Sequence, residues 1–163
     1  MFRLCVAHVR ANLETPASRL DWLRDELPKI QQRQADLVVL PELFACGYHI
    51  GAAVQQRAEA ANGPTQAKIA GLAQAYGVAI HYGFAEHEDG QLFNSARCIG
   101  PDGSVLNHQR KLAIPPGFER EHFTPGSSCE IFHYRGVKMA TLICYDAECP
   151  ETVRYVAAKG VQL

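Results

Sequence analysis

Residues 36–44 read DLVVLPELF: four apolar residues in unbroken succession, Leu37 to Leu40, then Pro41 and at once Glu42. Apolarity that is continuous rather than alternating marks a strand covered on both faces, as in a sheet layered with helices. Upstream, Phe2 to Val9 alternates like a strand, with Phe2, Leu4 and Val6 set against Arg3 and Cys5. Thr15-Pro16 then combines a capping residue with proline at the first helical position. Leu20, Leu23, Leu27 and Ile30 recur at helical spacing, which predicts a helix over 16–34, with Pro28 placed to kink or break it.

Downstream, Gly63-Pro64 opens a second helix through Tyr76, with Gly77 as its stop. Val78 to Phe84 and Leu92 to Ile99 read as strands joined by the polar turn EHEDGQ. The PDGS turn at 101–104 leads into a strand ending near Lys111. Pro115 to Ser128 is dominated by proline, glycine and charge and reads as a long loop. CEIFHYRGVKMATLIC (129–144) reads as a hairpin about Arg135-Gly136 whose second strand ends at Cys144. Pro150 starts a helix, and Val161 to Leu163 reads as a strand just beginning. Alternation of helices and strands, with a meander between, predicts an α/β layered fold in one domain.

Composition narrows the partners. Lys plus Arg (16) nearly balances Asp plus Glu (17), and the positive charges are dispersed. That excludes the electrostatic footprint of a nucleic-acid or anionic-membrane binder and points to a small molecule or a second copy of the chain. No apolar run reaches the ~18 residues of a membrane span. The first residues, MFRLCVAHVRANL, lack the layout of a signal peptide. Six cysteines without a C-x-x-C pair then read as reduced thiols of a cytoplasmic protein, with Cys5, Cys46 and Cys98 as inert core thiols.

Three apolar strands end on a potential reactive group. VVLPEL places Glu42 past a strand; HQRKLAIPPGFE places Lys111 at a strand end and Glu119 eight residues on; VKMATLICYDAECPE places Cys144 ahead of a helix. Reactive side chains usually sit at such ends, held by a rigid sheet. Singly, each has an ordinary reading: a solvated glutamate, a surface lysine, a core cysteine. A Cys–His pair drawn from the seven histidines, His122 and His133 being nearest Cys144 in sequence, has no thiol-protease signature behind it. Metal-ligand spacing is absent too, and no cofactor is expected.

In this order the three segments resemble the nitrilase superfamily of carbon–nitrogen hydrolases. VVLPELF, HQRKLAIP and LICYDAECPE match the contexts of its Glu–Lys–Cys triad; GPT at 63–65, YGFAE at 82–86 and FNSA at 93–96 are further signposts. The resemblance runs from Phe2 to Leu163. It implies Cys144 as nucleophile, Glu42 as general base and acid, Lys111 as oxyanion stabiliser, Glu119 as a second glutamate orienting them, and the Tyr145 backbone N–H as another oxyanion donor. These types suit the chemistry: a thiol needs a base or a positive neighbour, and a carboxylate serves better as base when buried, as the apolar strand before Glu42 favours.

C-Y-D followed by P-E is similar to the amidase and omega-amidase branches, whereas true nitrilases typically carry Trp after the cysteine. Glu148 departs from the pattern, standing where several members have arginine. The implied reaction is hydrolysis of a small linear carboxamide to acid and ammonia through a thioester. N-carbamoyl amide or nitrile hydrolysis is the alternative, and a non-catalytic assembly subunit or inactive fragment the alternative of another class. The implied fold is an α-β-β-α sandwich whose second half follows the cysteine. The expectation is therefore a carbon–nitrogen hydrolase domain over 1–163 cut short after Cys144. The inner faces of VVLP and MATLIC would lack a partner sheet, so that the chain alone is inactive and associates, and the longer protein is a homo-oligomer.

Overall fold

In the computed structural model, which describes residues 1–163, the chain begins with β1 (Leu4–Val6) and α1 (Pro16–Gln32). Thr15 caps α1 as its sequence predicts: its hydroxyl accepts from Ser18 N–H at 3.1 Å, and Ser18 Oγ accepts in return from Thr15 N–H at 3.2 Å. Pro28 neither ends nor divides the helix. Leu23, Leu27 and Ile30 are buried on both sides of it, and that packing offsets the hydrogen bond proline cannot make. The helix stops at Gln32 rather than Gln34, where the backbone has turned left-handed (φ 56°).

β2 (Leu37–Val39) is followed by a loop and a short α2 (Ala53–Arg57), then α3 (Pro64–Tyr76), which ends on Gly77 at φ 63°. Next come β3 (Ala79–Glu88), β4 (Gln91–Ile99), β5 (Val105–Arg110) and α4 (Phe118–His122). The hairpin β6 (Ile131–Tyr134) and β7 (Val137–Ala140), a 3-10 turn at Cys144–Glu148 and α5 (Pro150–Ala158) complete the described elements.

Strands β1 to β5 form one sheet in sequence order, parallel through β1–β2–β3 and antiparallel through β3–β4–β5. Helices α1 and α3 cover one face, burying Val38, Ile80, Tyr82 and Ile99 against Leu23, Leu27 and Ile69. The β6–β7 hairpin covers part of the other, where Leu37, Ala79 and Cys98 meet Tyr134 and Met139. The expected layered α/β architecture is what is observed, and the unbroken apolarity of β2 follows from its two covers.

The far side of that second face is thinly covered. Leu4 and Val6 on β1 are 41% and 63% exposed and look onto an apolar trough of about 260 Å³ shared with Val39, Phe132 and Leu142. Val161 to Leu163 form no assigned strand but run along β7: Gln162 N–H donates to Lys138 O at 2.8 Å and Ala140 N–H to Leu163 O at 3.1 Å.

Two expectations fail. The 115–128 stretch is not all loop, since it holds α4; like α2, that helix has five residues, too few to display a period. The second hairpin strand ends at Ala140 rather than at Cys144. Ile143 N–H donates to the Asp146 carboxylate at 2.9 Å instead of to a neighbouring strand, and the backbone turns left-handed at Cys144.

Candidate active site

Glu42 stands three residues past β2, where the chain is pressed onto β3. Ala45 N–H donates to Gly83 O at 2.9 Å, and a Cβ at position 83 would lie 2.9 Å from the Glu42 carbonyl carbon and Cα. Only glycine permits that approach. The next residue, Leu43, is left-handed (φ 51°) and fully buried, which swings the chain away and leaves the Glu42 carboxylate 17% exposed.

Lys111 immediately follows β5, and its backbone N–H donates to Asn94 O on β4 at 2.8 Å. Glu119 lies in the first turn of α4. Both side chains are essentially sealed from solvent, at 0% and 1% exposure. Lys111 Nζ donates to Glu42 Oε1 at 2.7 Å and to Glu119 Oε1 and Oε2 at 2.7 and 2.8 Å, so all three ammonium protons are engaged. Burial alone would lower the pKa of this ammonium; the bonds to Glu119 and Glu42 outweigh that and raise it, so the charge is kept.

Cys144 opens the 3-10 turn in a left-handed conformation (φ 48°), exposed at the end of the segment from β7. A cysteine held at positive φ is strained, and such strain persists where surrounding bonds over-determine it. Here Asp146 does so. Its buried carboxylate accepts from Ile143 N–H at 2.9 Å on one oxygen, and from Leu112 and Ala113 N–H at 3.0 and 2.7 Å on the other. The turn bearing Cys144 is thereby tied to the loop bearing Lys111. Tyr145 precedes the first 3-10 hydrogen bond, from Asp146 N–H to Ile143 O at 3.1 Å, a place where helical N–H groups lack internal acceptors.

Partial burial raises the pKa of the Cys144 thiol, and the negative charge of Glu42 raises it further against the opposing pull of Lys111. Both effects favour the protonated thiol over the thiolate, so an attack by this sulfur would need a base to take its proton. Cys46 and Cys98 are buried, with pKa values pushed up to about 11 and about 12 by burial. They behave as core thiols; Cys5 is only half-buried.

The four side chains singled out in the sequence thus converge, Glu42, Lys111 and Glu119 through direct hydrogen bonds and Cys144 through the field of Glu42. None of the histidines hydrogen-bonds Cys144; His122 packs on Phe118 with ring centroids 4.9 Å apart, and His133 is exposed. Three contributors went unassigned in the sequence. Asn94, within FNSA, donates to both glutamates; Tyr48 donates its hydroxyl to Glu119 Oε1 at 2.8 Å; Asp146, within C-Y-D, is the clamp just described. The motifs flagged Asn94 and Asp146, but their partners lie 52 and 34 residues away. Nothing in the sequence marked Tyr48.

Comparison with known proteins bears on the family and the fold. The carbon-nitrogen hydrolase family model matches residues 5–163. A Pseudomonas protegens protein described as a hydrolase in the pqqF 5' region is 40% identical over 137 residues, covering 82% of this chain and 48% of the relative. An (R)-stereoselective amidase of a Pseudomonas species is 38% identical over 128 residues, covering 78% and 46%. The crystal structure of an amidase from Nesterenkonia superposes with a TM-score of 0.88 at 27% identity, covering 99% of this chain and 62% of that one. The chain thus spans about half the length of these two relatives. No helix is long and apolar enough to cross a membrane.

Proposed function

Because the chain belongs to the carbon-nitrogen hydrolase family, we propose that its site hydrolyses a small linear carboxamide to a carboxylic acid and ammonia through a thioester on Cys144. The observation that carries this reading is the sealed Lys111 ammonium, held at 2.7 Å from both Glu42 and Glu119 beside a cysteine on a strained turn. A structural ion pair would need one carboxylate. Two carboxylates on one ammonium leave an excess negative charge next to a thiol, which is what a proton acceptor requires.

In the proposed reaction Glu42 takes the thiol proton as Sγ attacks the amide carbon, forming a C–S bond. The electron pair displaced onto oxygen is met by the Tyr145 N–H and the Lys111 charge, which can release one of its two bonds to Glu119. Glu42 then gives its proton to the nitrogen, the C–N bond breaks and ammonia leaves. Water attacks the thioester, losing a proton to Glu42, and the departing sulfur recovers that proton. Water is consumed, and the enzyme is restored.

The amide reading is preferred to the carbamoyl or nitrile ones because Tyr145, not Trp, follows the cysteine, and because two of the compared proteins are named amidases. A reducing compartment such as the cytoplasm suits six unpaired cysteines, and the apolar trough beside β1 suits association of copies. The test is ammonia release by the purified protein from propionamide, an N-carbamoyl amine and propionitrile, with mass spectrometry of acid-quenched protein. We expect propionamide to be turned over fastest and to leave a propionyl group on the Cys144 peptide. Turnover surviving in Cys144→Ala, or no hydrolysis of any of the three, would overturn the reading.

A further inference from the structure

Asn94 is fully buried in the middle of β4 and carries no role in the reaction just proposed. Its backbone pairs with Ala85 on β3 and receives the Lys111 N–H. Its side-chain amide does something the backbone does not need. Nδ2 donates one hydrogen to Glu42 Oε1 at 2.6 Å and the other to Glu119 Oε2 at 2.9 Å, while Oδ1 has no partner within the protein. A buried acceptor without a partner is a cost, tolerated where the opposite end of the group makes charge-assisted bonds. The amide orientation follows from the same contacts, since Oδ1 facing two carboxylates would be repelled.

Glu42 Oε1 therefore takes both protein donors, Lys111 and Asn94, and Oε2 takes none. Only Oε2 keeps both lone pairs for an incoming proton. We propose that Asn94 is a positioning residue that selects Oε2 of Glu42 as the oxygen meeting the Cys144 thiol and holds that carboxylate in its proton-accepting form. An amide suits the task because it supplies donors without adding a second cation. A further ammonium or guanidinium would hold the carboxylate too firmly ionised to accept a proton, and an aspartate would add a third negative charge. The charged and titratable groups facing Glu42 are Lys111 after β5, Glu119 on α4, Cys144 on the 3-10 turn and, through Glu119, Tyr48.

This inference rests on the amide-hydrolase reading, and its test separates the two. The readout is the rate of Cys144 alkylation by iodoacetamide as a function of pH, followed by peptide mass spectrometry, which needs no turnover. A hydrogen bond to the ionised carboxylate favours loss of the first proton from the Glu42–Cys144 pair. Asn94→Leu, of similar shape but without donors, should move the acidic limb of that profile upward by about one pH unit, equivalent to a tenfold rate loss on the limb. Asn94→Asp, nearly identical in shape, should move it further because of like-charge repulsion, and it serves if the leucine variant fails to fold. Circular dichroism and a thermal melt establish the fold of each. A limb unmoved in folded Asn94 variants but displaced in Glu42→Gln would overturn the role of Asn94 and leave the reading standing. A Glu42→Gln profile coincident with that of the unsubstituted protein would overturn the reading itself, and the Asn94 inference with it.

Discussion

The ammonium of Lys111 has no exposed surface, three engaged protons and two carboxylates at 2.7 Å, so its surroundings are matched to the head group of lysine alone. Arginine would keep the charge but present a planar fork where a tetrahedral point charge sits. Lys111→Arg should lower kcat by roughly two to three orders of magnitude, the usual loss for one misplaced oxyanion donor, in protein that still folds. Retention of kcat within a few-fold would show that charge alone suffices. A second residue-scale expectation concerns the thiols. Cys144 is exposed beside the Glu42 carboxylate, whereas Cys46 and Cys98 are buried, with pKa values pushed up to about 11 and about 12. Limiting iodoacetamide should therefore modify Cys144 first among the six, as peptide mapping would reveal; uniform labelling would contradict its assignment as nucleophile.

Among the elements, the junction between β2 and β3 carries the position of Glu42. The absence of a side chain at Gly83 is what lets the Glu42–Leu43 backbone rest on the sheet. Gly83→Ala would force a methyl against backbone atoms that have no flexible tip to move. The expected cost is ~1–3 kcal/mol of stability, with Glu42 displaced from the thiol and slower Cys144 alkylation as the functional sign. A variant with unchanged melting temperature and unchanged alkylation rate would mean the strand absorbs the methyl. The Asp146 clamp works at the same scale: one carboxylate spans two loops, so Cys144 and Lys111 are fixed relative to each other rather than separately to the sheet.

For the molecule as a whole, the largest charged cluster outside the site ties three strands together. Glu86 on β3, fully buried, accepts from Ser95 on β4 and from His108 and Arg110 on β5, with Arg110 Nη2 at 2.5 Å and His108 Nε2 at 2.9 Å. Burial pushes the Glu86 pKa up, but the bonds from His108, Arg110 and Ser95 prevail and hold it well below its ordinary 4.5. A depressed carboxylate stabilises the fold fully above its unfolded value and loses that contribution as pH falls through the folded one. The Glu86 contribution to the melting temperature should thus be independent of pH near neutrality and fall away below about pH 4.5. Glu86→Gln should melt roughly 3–10 °C lower at pH 7 and show a shallower acid dependence, measurable by calorimetry across pH 3–7. An unchanged acid slope in that variant would assign the dependence to other carboxylates.

What could be read from the sequence was whatever depends on neighbours along the chain. The cap at Thr15-Pro16, the stop at Gly77, the Asp89-Gly90 and Arg135-Gly136 turns and the two-sided burial of β2 all follow from local sterics or a hydrophobic period. Glu42, Lys111, Glu119 and Cys144 were legible as strand-end groups in family contexts, but not as partners. Their meeting was decided by the tertiary structure, because the bond from Lys111 to Glu42 joins residues 69 apart, and no periodicity spans that distance. The left-handed backbone at Leu43 and Cys144, the donors of Asn94 and the clamp of Asp146 were hidden for the same reason: each exists only where long-range hydrogen bonds outweigh what the residue prefers by itself.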